Sequence, residues 1–259
     1  MCRELSGRKR SPQRNAPAKL KKPKSRHRPK VPRARRPAAS RVIKAAIFDL
    51  DGTVVDSNDL HVDAWREAFQ HYGKDFPVEE LRRHIGKGGD KYLPEFLTHA
   101  ELQEFGDELE KFRADLFKRS YLERVQPFPE VRQLFQRLRD DGKRIALASG
   151  NETEVDHYVK LAGIGELIEA RTSKSDVEQS KPSPDVFASA LSLLHLLPQD
   201  AIVVGDTPYD VQAAKKLDLP TIGLLCGGFP EDELRASGAV AIFRDPAHLL
   251  EGYHRSPLG

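Results

Sequence analysis

The stretch VIKAAIFDLDGTVVDS, residues 42–57, limits the folds that this sequence can adopt. It begins with a short β-rich run that is typical of a strand buried on both faces. Two carboxylates, Asp49 and Asp51, stand one residue apart where that strand would end. Gly52 permits a sharp turn, so both carboxylates can face the same cavity. Polar side chains at the end of a buried strand make this stretch the first candidate site.

Similar apolar runs recur along the rest of the chain. They are RIALAS (144–149), LIEA (167–170), AIVVG (201–205), TIGLL (221–225) and AIF (241–243). Helical patterns separate the runs, and the pattern after Glu130 ends at the stop signal Gly142. This alternation predicts an α/β fold, namely a Rossmann-like parallel sheet with helices on both faces. Ligands of such sheets bind at the carboxyl ends of the strands.

Residues 58–125 interrupt the alternation because they contain helical patterns only. Two apolar stripes with helical spacing run through this segment, one containing Trp65 and the other Phe117. We therefore expect an inserted all-helical cap domain over residues 58–125. The α/β core would then consist of residues 42–57 and 126–259.

Residues 1–41 form a basic tail with a different composition. The tail holds 16 Lys and Arg against a single acidic residue, Glu4, and it is rich in Pro, Ser and Ala. Such a segment buries too little apolar surface to offset its ordering entropy, so we expect it to be disordered. The other interpretations are a tether to nucleic acid or another anionic surface, and a transit peptide. Prolines disfavour the amphipathic helix that a transit peptide needs.

The remainder of the chain is acidic, with 26 basic against 38 acidic residues. This balance argues against nucleic-acid binding except through the tail. No apolar run approaches the length that spans a membrane, which argues against a membrane partner. The two cysteines, Cys2 and Cys226, form neither a disulfide framework nor a metal-binding spacing, which indicates a cytoplasmic location.

A second pair of carboxylates, Asp206 and Asp210, follows the predicted strand 201–205. If that strand is a neighbour of the first, these two carboxylates converge with Asp49 and Asp51. Their mutual repulsion then requires a cation, and a small cavity lined with oxygen ligands suits Mg²⁺.

Two further strand ends or helix starts carry groups that suit a phosphate. Ser149 ends the run 144–149 and supplies a hydroxyl, and Gly150 and Asn151 follow with backbone N–H groups. Lys181 stands just before a helix start, where its ammonium would act as a point charge toward phosphate.

Four motifs therefore occur in order: DLDGT (49–53), the strand end at Ser149, KPSPD (181–185) and GDTPYD (205–210). With them the sequence resembles the haloacid dehalogenase superfamily of phosphohydrolases, in the branch with an all-helical cap inserted after the first strand. The resemblance spans residues 42–250, and four motifs in this order are a specific signal. Asp51 separates the chain from the true dehalogenases, which lack this aspartate.

The resemblance implies roles for these residues. Asp49 would be the nucleophile that forms an aspartyl-phosphate, and Asp51 would protonate the leaving oxygen and then activate water. Mg²⁺ would be bound by the Asp49 carboxylate, the Asp51 backbone carbonyl and Asp206, with Asp210 in its outer shell. The residues that would hold the phosphoryl group are Ser149, Gly150, Asn151 and Lys181.

Two residues of the helical segment are candidates for substrate contact. Lys87 lies in the Gly-rich loop RRHIGKGGDKYL (82–93), where related enzymes keep a specificity loop. A helix–helix turn with solvated charges explains this loop equally well. His61 and Trp65 also occur in β-phosphoglucomutase and related sugar-phosphate phosphatases. Trp65 fits the apolar stripe, while His61 either reaches the substrate or is a satisfied helix histidine.

Three functions are compatible with the sequence. The first is a Mg²⁺-dependent phosphatase acting on a small phosphorylated metabolite, such as a sugar phosphate or phosphoglycolate. The second is a phosphosugar mutase of the β-phosphoglucomutase kind, in which the phosphoryl group returns to sugar instead of water. The third is a non-catalytic protein tethered by its basic tail, which the complete set of aspartates argues against.

Overall fold

The computed structural model describes residues 42–149, 152–172 and 177–259. The predicted tail, Gly150 and Asn151 lie outside these ranges. Within the described part of the chain, no helix is long and apolar enough to cross a membrane.

The strands of the described residues are short. In chain order they are β1 (Ala45–Phe48), β2 (Val55–Asp56), β3 (Gln126–Pro127), β4 (Arg144–Leu147), β5 (Ala170–Arg171), β6 (Ala201–Gly205), β7 (Thr221–Leu224) and β8 (Ala241–Phe243).

Helices connect most of these strands. In chain order they are α1 (Asn58–His71), α2 (Val78–Arg83), α3 (Gly89–Tyr92), α4 (His99–Glu101), α5 (Asp107–Ser120), α6 (Val131–Asp140), α7 (Glu152–Ala162), α8 (Asp185–Leu193), α9 (Pro208–Lys215), α10 (Glu231–Ser237) and α11 (Pro246–Glu251). A π-helical turn, Leu102–Gly106, joins α4 to α5.

Six strands form one parallel sheet in the order β5-β4-β1-β6-β7-β8. β1 lies inside the sheet, where Ala45 pairs with Arg144 of β4 on one side and with Ala201 of β6 on the other. The predicted parallel α/β sheet is therefore confirmed. The pairing of β1 with β6 also makes neighbours of the two strands whose ends carry aspartates.

Helices cover both faces of the sheet. Side chains alternate along β1, so that Ala46 and Phe48 point into one apolar cluster while Ala45 and Ile47 point into the other. The first cluster is shared with α6, α7 and α11, and the second with α8 and α9. Phe48 packs against Phe135 of α6 with ring centroids 4.6 Å apart. Burial on both faces explains why these strands read as continuous apolar runs.

One strand lies elsewhere than predicted. β5 consists of Ala170–Arg171, whereas the apolar run predicted a strand over residues 167–170. The N–H of Leu167 donates to the carbonyl of Ile164 at 2.9 Å, so Leu167 belongs to the turn after α7. Its side chain is buried in the core beneath the sheet. The run is apolar because a turn packs onto the core.

The segment between β2 and β3 contains helices joined by turns and no strand, as the sequence predicts. β2 and β3 pair antiparallel beside the main sheet, so the chain leaves and re-enters the α/β part at adjacent points. Inside the segment, α1 and α2 enclose an apolar cluster that includes Trp65, Phe69 and Tyr92. The ring of Trp65 stacks on that of Tyr92 at 4.4 Å between centroids.

Candidate active site

The site begins at the carboxyl ends of β1 and β6. Asp49 directly follows β1 and Asp206 directly follows β6, and the N–H of Asp49 donates to the carbonyl of Val204 at 2.9 Å. Asp210 lies one turn into α9. Carboxylate oxygens of Asp49, Asp206 and Asp210 lie within 4.8 Å of one another, and all three residues are buried. The structure thus brings together three of the four predicted carboxylates.

Lys181 supplies the positive charge among these carboxylates. Its Nζ donates to Asp49 Oδ1 and lies 2.7 Å from Asp210 Oδ1. Burial disfavours the ammonium, but Asp210 and Asp49 outweigh this effect and raise the pKa of Lys181 well above its usual value. The lysine therefore stays charged where it faces the predicted nucleophile.

One lysine does not neutralise three buried carboxylates. Burial raises the pKa of Asp49 to about 7, and although Lys181 opposes this rise, Asp210 and Asp51 add to it. Burial also raises the pKa of Asp206 well above its usual value, with Asp210 and Asp49 as further causes. Burial is the largest cause of both rises, and repulsion between the neighbouring carboxylates adds to it.

The donor set fits the Mg²⁺ ion that the resemblance implies. All three groups offer carboxylate oxygens, which are the ligands that Mg²⁺ prefers. Glycines leave the space around Asp206, because a Cβ on either Gly52 or Gly227 would overlap its carboxylate. Excess negative charge, hard oxygen donors and glycine-lined space together match a small divalent cation.

Two residues that the sequence analysis did not single out hold Asp206. Thr53 Oγ1 donates to Asp206 Oδ1 at 2.8 Å, and Asn58 Nδ2 donates to Asp206 Oδ2 at 2.9 Å. The Asn58 amide also donates to the carbonyl of Gly227 at 2.9 Å. Both carboxylate oxygens are thereby fixed in direction, which orients the group toward a ligand.

Asp210 has two contacts that set its position. Its Oδ2 accepts from the backbone N–H and the hydroxyl of Thr207, at 3.0 and 2.7 Å, which forms a capping box at the start of α9. Its Oδ1 faces Lys181. Asp210 is therefore both a helix cap and a member of the carboxylate cluster.

The carboxylate of Asp51 points to different partners. Its Oδ1 accepts from the hydroxyl of Ser57 at 2.6 Å and lies 2.9 Å from His61 Nε2. Burial alone would raise the pKa of Asp51, but His61 and Ser57 lower it to about 2. Asp51 forms a separate cluster with His61 and Glu154, so its carboxylate lies outside the three-carboxylate group. The resemblance assigns only its backbone carbonyl to the metal.

The remaining predicted residues are placed as follows. Ser149 lies two residues beyond the end of β4 and is buried. Its N–H donates to the hydroxyl of Thr172 at 3.1 Å, and that hydroxyl donates to the carbonyl of Ser149 at 2.8 Å. Gly150 and Asn151 lie outside the described residues. His61 stacks on Phe117 of α5 with centroids 4.0 Å apart.

Lys87 is held by other side chains of the described chain. Its Nζ lies 2.7 Å from Glu95 Oε1 and 2.9 Å from His84 Nδ1, and it sits 4.8 Å from the ring centroid of Tyr209. The first two partners belong to the helical segment and the third to α9. Its role in substrate binding stays a prediction.

A loop of the helical segment, residues 86–91, contacts the α/β part beside Lys181. We name it the docking loop. The N–H of Gly88 donates to Ser180 Oγ at 3.1 Å, and Ser180 Oγ donates to Asp90. Gly86 packs against Thr207 so closely that a Cβ would lie 2.6 Å from the Thr207 methyl group. The docking loop thus closes over the strand ends that carry the carboxylates.

Comparison with known proteins assigns this arrangement to a family. Over residues 46–224, more than half of the chain, the sequence matches the model of the haloacid dehalogenase-like hydrolases. A phosphorylated carbohydrates phosphatase from Thermotoga maritima is 26% identical over 213 residues, which cover 80% of this chain and 97% of that protein. A phosphoglycolate phosphatase from Aquifex aeolicus is 26% identical over 194 residues, covering 71% and 86%.

Further relatives and solved structures agree. The pyrophosphatase PpaX of Bacillus velezensis is 28% identical over 184 residues, covering 70% of this chain and 83% of that protein. A hydrolase from Pseudomonas syringae superposes with a TM-score of 0.75 at 26% identity, over 82% of this chain and 98% of that one. A haloacid dehalogenase-like family protein from Streptococcus pneumoniae, at 21% identity and a TM-score of 0.67 over 82% and 99%, shares the fold. The chain belongs to the haloacid dehalogenase-like hydrolase family.

Proposed function

We propose that this hydrolase is a Mg²⁺-dependent phosphatase that cleaves a small phosphate monoester through an aspartyl-phosphate on Asp49. The observation that carries the proposal is the position of Asp49. Its carboxylate contacts Lys181 and shares a 4.8 Å cluster with Asp206 and Asp210, while Asp51 follows two residues later. The names of the relatives from Thermotoga maritima and Aquifex aeolicus support this reaction class.

In the first step the Asp49 carboxylate attacks phosphorus. A bond forms between an Asp49 oxygen and phosphorus, and the bond from phosphorus to the ester oxygen breaks. Lys181 lies against Asp49 and offsets negative charge on the transferring phosphoryl group. Asp49, Asp206 and the backbone carbonyl of Asp51 would hold Mg²⁺, which when bound neutralises charge on the phosphoryl oxygens.

The leaving oxygen needs a proton, and water must then lose one. His61 Nε2 and Asp51 Oδ1, 2.9 Å apart, form a pair that can hold and return a proton. In the second step Asp51 accepts a proton from water as the water oxygen bonds to phosphorus. The bond from phosphorus to Asp49 then breaks and releases inorganic phosphate. A pKa of about 2 keeps Asp51 ionised, so its carboxylate is free to accept this proton.

The domain division belongs to this proposal. Residues 58–125 would act as a cap on a core of residues 42–57 and 126–259, with the docking loop closing over the substrate and excluding water. Residues 1–41 would be a tail outside both. A cytoplasmic location is also part of the proposal, because the cysteine usage shows no sign of an oxidising compartment.

The test is a phosphate-release screen over phosphorylated metabolites, with Mg²⁺ and with EDTA. It compares the wild type with Asp49→Asn and with Asp115→Asn, an exposed aspartate of α5 that serves as a matched control. We expect Mg²⁺-dependent release from the wild type and the control, and a loss on the order of 10⁴-fold or more in Asp49→Asn. Equal release from all three proteins would refute the nucleophile assignment.

The same screen separates the phosphatase from the mutase. A phosphosugar mutase would release little phosphate and would convert a sugar monophosphate only with a bisphosphate activator. We expect phosphate release that needs no activator. Conversion of the sugar monophosphate that depends on the activator, without net release of phosphate, would identify the protein as a mutase instead of a phosphatase.

A further inference from the structure

Arg113, on α5 in the helical segment, carries a guanidinium with unsatisfied donors. Its Nε and Nη1 are buried, and neither donates a hydrogen bond to any described residue. The guanidinium carbon lies over two aromatic rings, 4.7 Å from the centroid of Trp65 and 6.0 Å from that of Phe117. Buried charges in proteins are normally paired, because an unpaired one loses its hydration without compensation. Within the described part of the chain, these two donors of Arg113 have no such partner.

The position of Arg113 relates it to the proposed reaction. Phe117, one turn further along α5, stacks on His61, and His61 contacts Asp51. Arg113 also lies close enough to Tyr158 of α7 for its charge to oppose the rise that burial causes in the Tyr158 pKa. The ring of Phe117 thus lies between the guanidinium and the Asp51–His61 pair.

The expected position of the leaving group also relates Arg113 to the substrate. Lys181 and the carboxylate cluster surround Asp49, where the phosphoryl group would bind. In the proposed reaction Asp51 would protonate the ester oxygen, so the rest of the substrate would lie on the side of Asp51 and His61, where Phe117 and Arg113 follow. A negative group near His61 would meet buried Glu154, whose carboxylate lies within 4.8 Å of the ligand atoms of Asp51 and His61. Arg113, beside Phe117 and Trp65, offers a positive charge for such a group instead.

We infer that Arg113 binds a second anionic group of the substrate, a carboxylate or a second phosphate, and thereby selects esters that carry one. This inference rests on the proposed phosphatase function. The planar guanidinium can bind either anion through two parallel hydrogen bonds, and stacking on Trp65 holds it in one orientation. The substrate would then be held at two points, with its phosphoryl group at Asp49 and its second anionic group at Arg113.

The experiment measures discrimination between matched esters. 2-Phosphoglycolate is compared with ethylene glycol monophosphate, and a sugar bisphosphate with the corresponding monophosphate, in the wild type, Arg113→Met and Arg113→Lys. The readout is the ratio of kcat/KM for the anionic ester to kcat/KM for its match. We expect Arg113→Met to lower this ratio roughly 10- to 100-fold, the range for a hydrogen bond to a charged group, and Arg113→Lys to lower it less. The pair of esters whose kcat/KM ratio falls shows whether the second anionic group is a carboxylate or a phosphate.

Arg119→Met, at an exposed position of the same helix, is the matched control and should leave the ratio unchanged. A loss in Arg113→Met that is equal for both esters of each pair, or no loss, would overturn the inference and leave the phosphatase proposal standing. If the wild type hydrolyses no ester, the phosphatase proposal fails instead. Calorimetric binding of 3-phosphonopropionate against propylphosphonate then tests Arg113 without turnover, and equal affinities of wild type and Arg113→Met would overturn the inference.

Discussion

Asn58, the first residue of α1, donates its side-chain amide to Asp206, the carboxylate that follows β6. The bond joins residues 148 positions apart and is buried. It ties the beginning of the helical segment to the carboxylate cluster of the α/β part. Any change in the position of α1 therefore reaches a residue that would hold the metal.

Asn58→Ala should weaken Mg²⁺ binding without removing a metal ligand. The change frees one oxygen of Asp206 from its donor, and loss of such an outer partner typically costs about 10- to 100-fold in metal affinity. The measurement is Mg²⁺ titration by calorimetry or by activity. Thr53→Ser keeps the hydroxyl that holds the other oxygen and serves as the control, for which we expect affinity close to wild type. An Asn58→Ala protein with unchanged Mg²⁺ affinity would contradict the prediction.

The metal-free protein should lose stability as the pH rises from 5 to 7.5. Burial raises the pKa of Asp49 from 3.8 to about 7, so between these values the folded state binds a proton that the unfolded state has released. The free energy of unfolding therefore falls with pH in this window. Asp51, with a pKa of about 2, is ionised throughout the window and contributes no slope.

Mg²⁺ should reverse this loss, because carboxylates bind metal only when deprotonated. Thermal unfolding with EDTA should show Tm falling by roughly 5 °C across the window, and added Mg²⁺ should raise Tm far more at pH 7.5 than at pH 5. Asp49→Asn removes one of the titrating groups and should flatten the dependence. An Mg²⁺ shift of the same size at both pH values would be inconsistent with the raised carboxyl pKa values.

Gly88→Ala should impair closure of the docking loop. A Cβ at this position would lie 2.5 Å from Ser180 Cβ and 2.7 Å from Ser180 Oγ, and the backbone φ of −73° otherwise accepts alanine. Relieving the overlap moves the loop away from Ser180 and Lys181, so we expect kcat/KM to fall roughly tenfold. Gly165→Ala, whose Cβ would make an ordinary 3.5 Å contact with Val159, is the control. Wild-type kcat/KM in Gly88→Ala would argue against closure at this loop.

His61→Gln should lower kcat while leaving Mg²⁺ affinity unchanged. The change removes the imidazole that shares a proton with Asp51, and such proton transfer contributes about 10²- to 10⁴-fold to rates. Phe117→Leu removes only the stacking partner of His61 and should have a much smaller effect on kcat. Comparing His61→Gln with Asn58→Ala separates the proton pair from the metal cluster. Equal losses of Mg²⁺ affinity in both variants would contradict the prediction that His61 affects proton transfer and not metal binding.

The sheet was largely predictable because its inner strands are buried on both faces. The run at 201–205 coincides with β6 and the run at 221–225 ends one residue beyond β7, and every residue of these two strands is buried. The run at 167–170 misled because an apolar turn packed on the core has the same composition. Pairing and strand order depend on long-range contacts, which local patterns do not contain.

The site was predictable where strand ends carried carboxylates, as at Asp49 and Asp206. Ser57 and Asn58 were missed because polar residues at a helix start usually act as caps. Ser57 does stand at the N-cap of α1, yet its side chain makes no capping bond and donates to Asp51 instead. A polar pair that begins four residues after the DLDGT motif was the available signal. Nothing in the sequence singled out Arg113, because its unpaired donors become evident only when α5 packs against Trp65.

The ribbon of β2 and β3 has a consequence for how this molecule can diversify. Val55 pairs with Pro127 and Asp56 with Gln126, so the two connections between the helical segment and the α/β part lie side by side. An inserted segment whose two ends are adjacent can change in length or sequence without changing the order of the strands in the main sheet. The helical segment can therefore vary while the strand ends that carry Asp49 and Asp206 keep their positions.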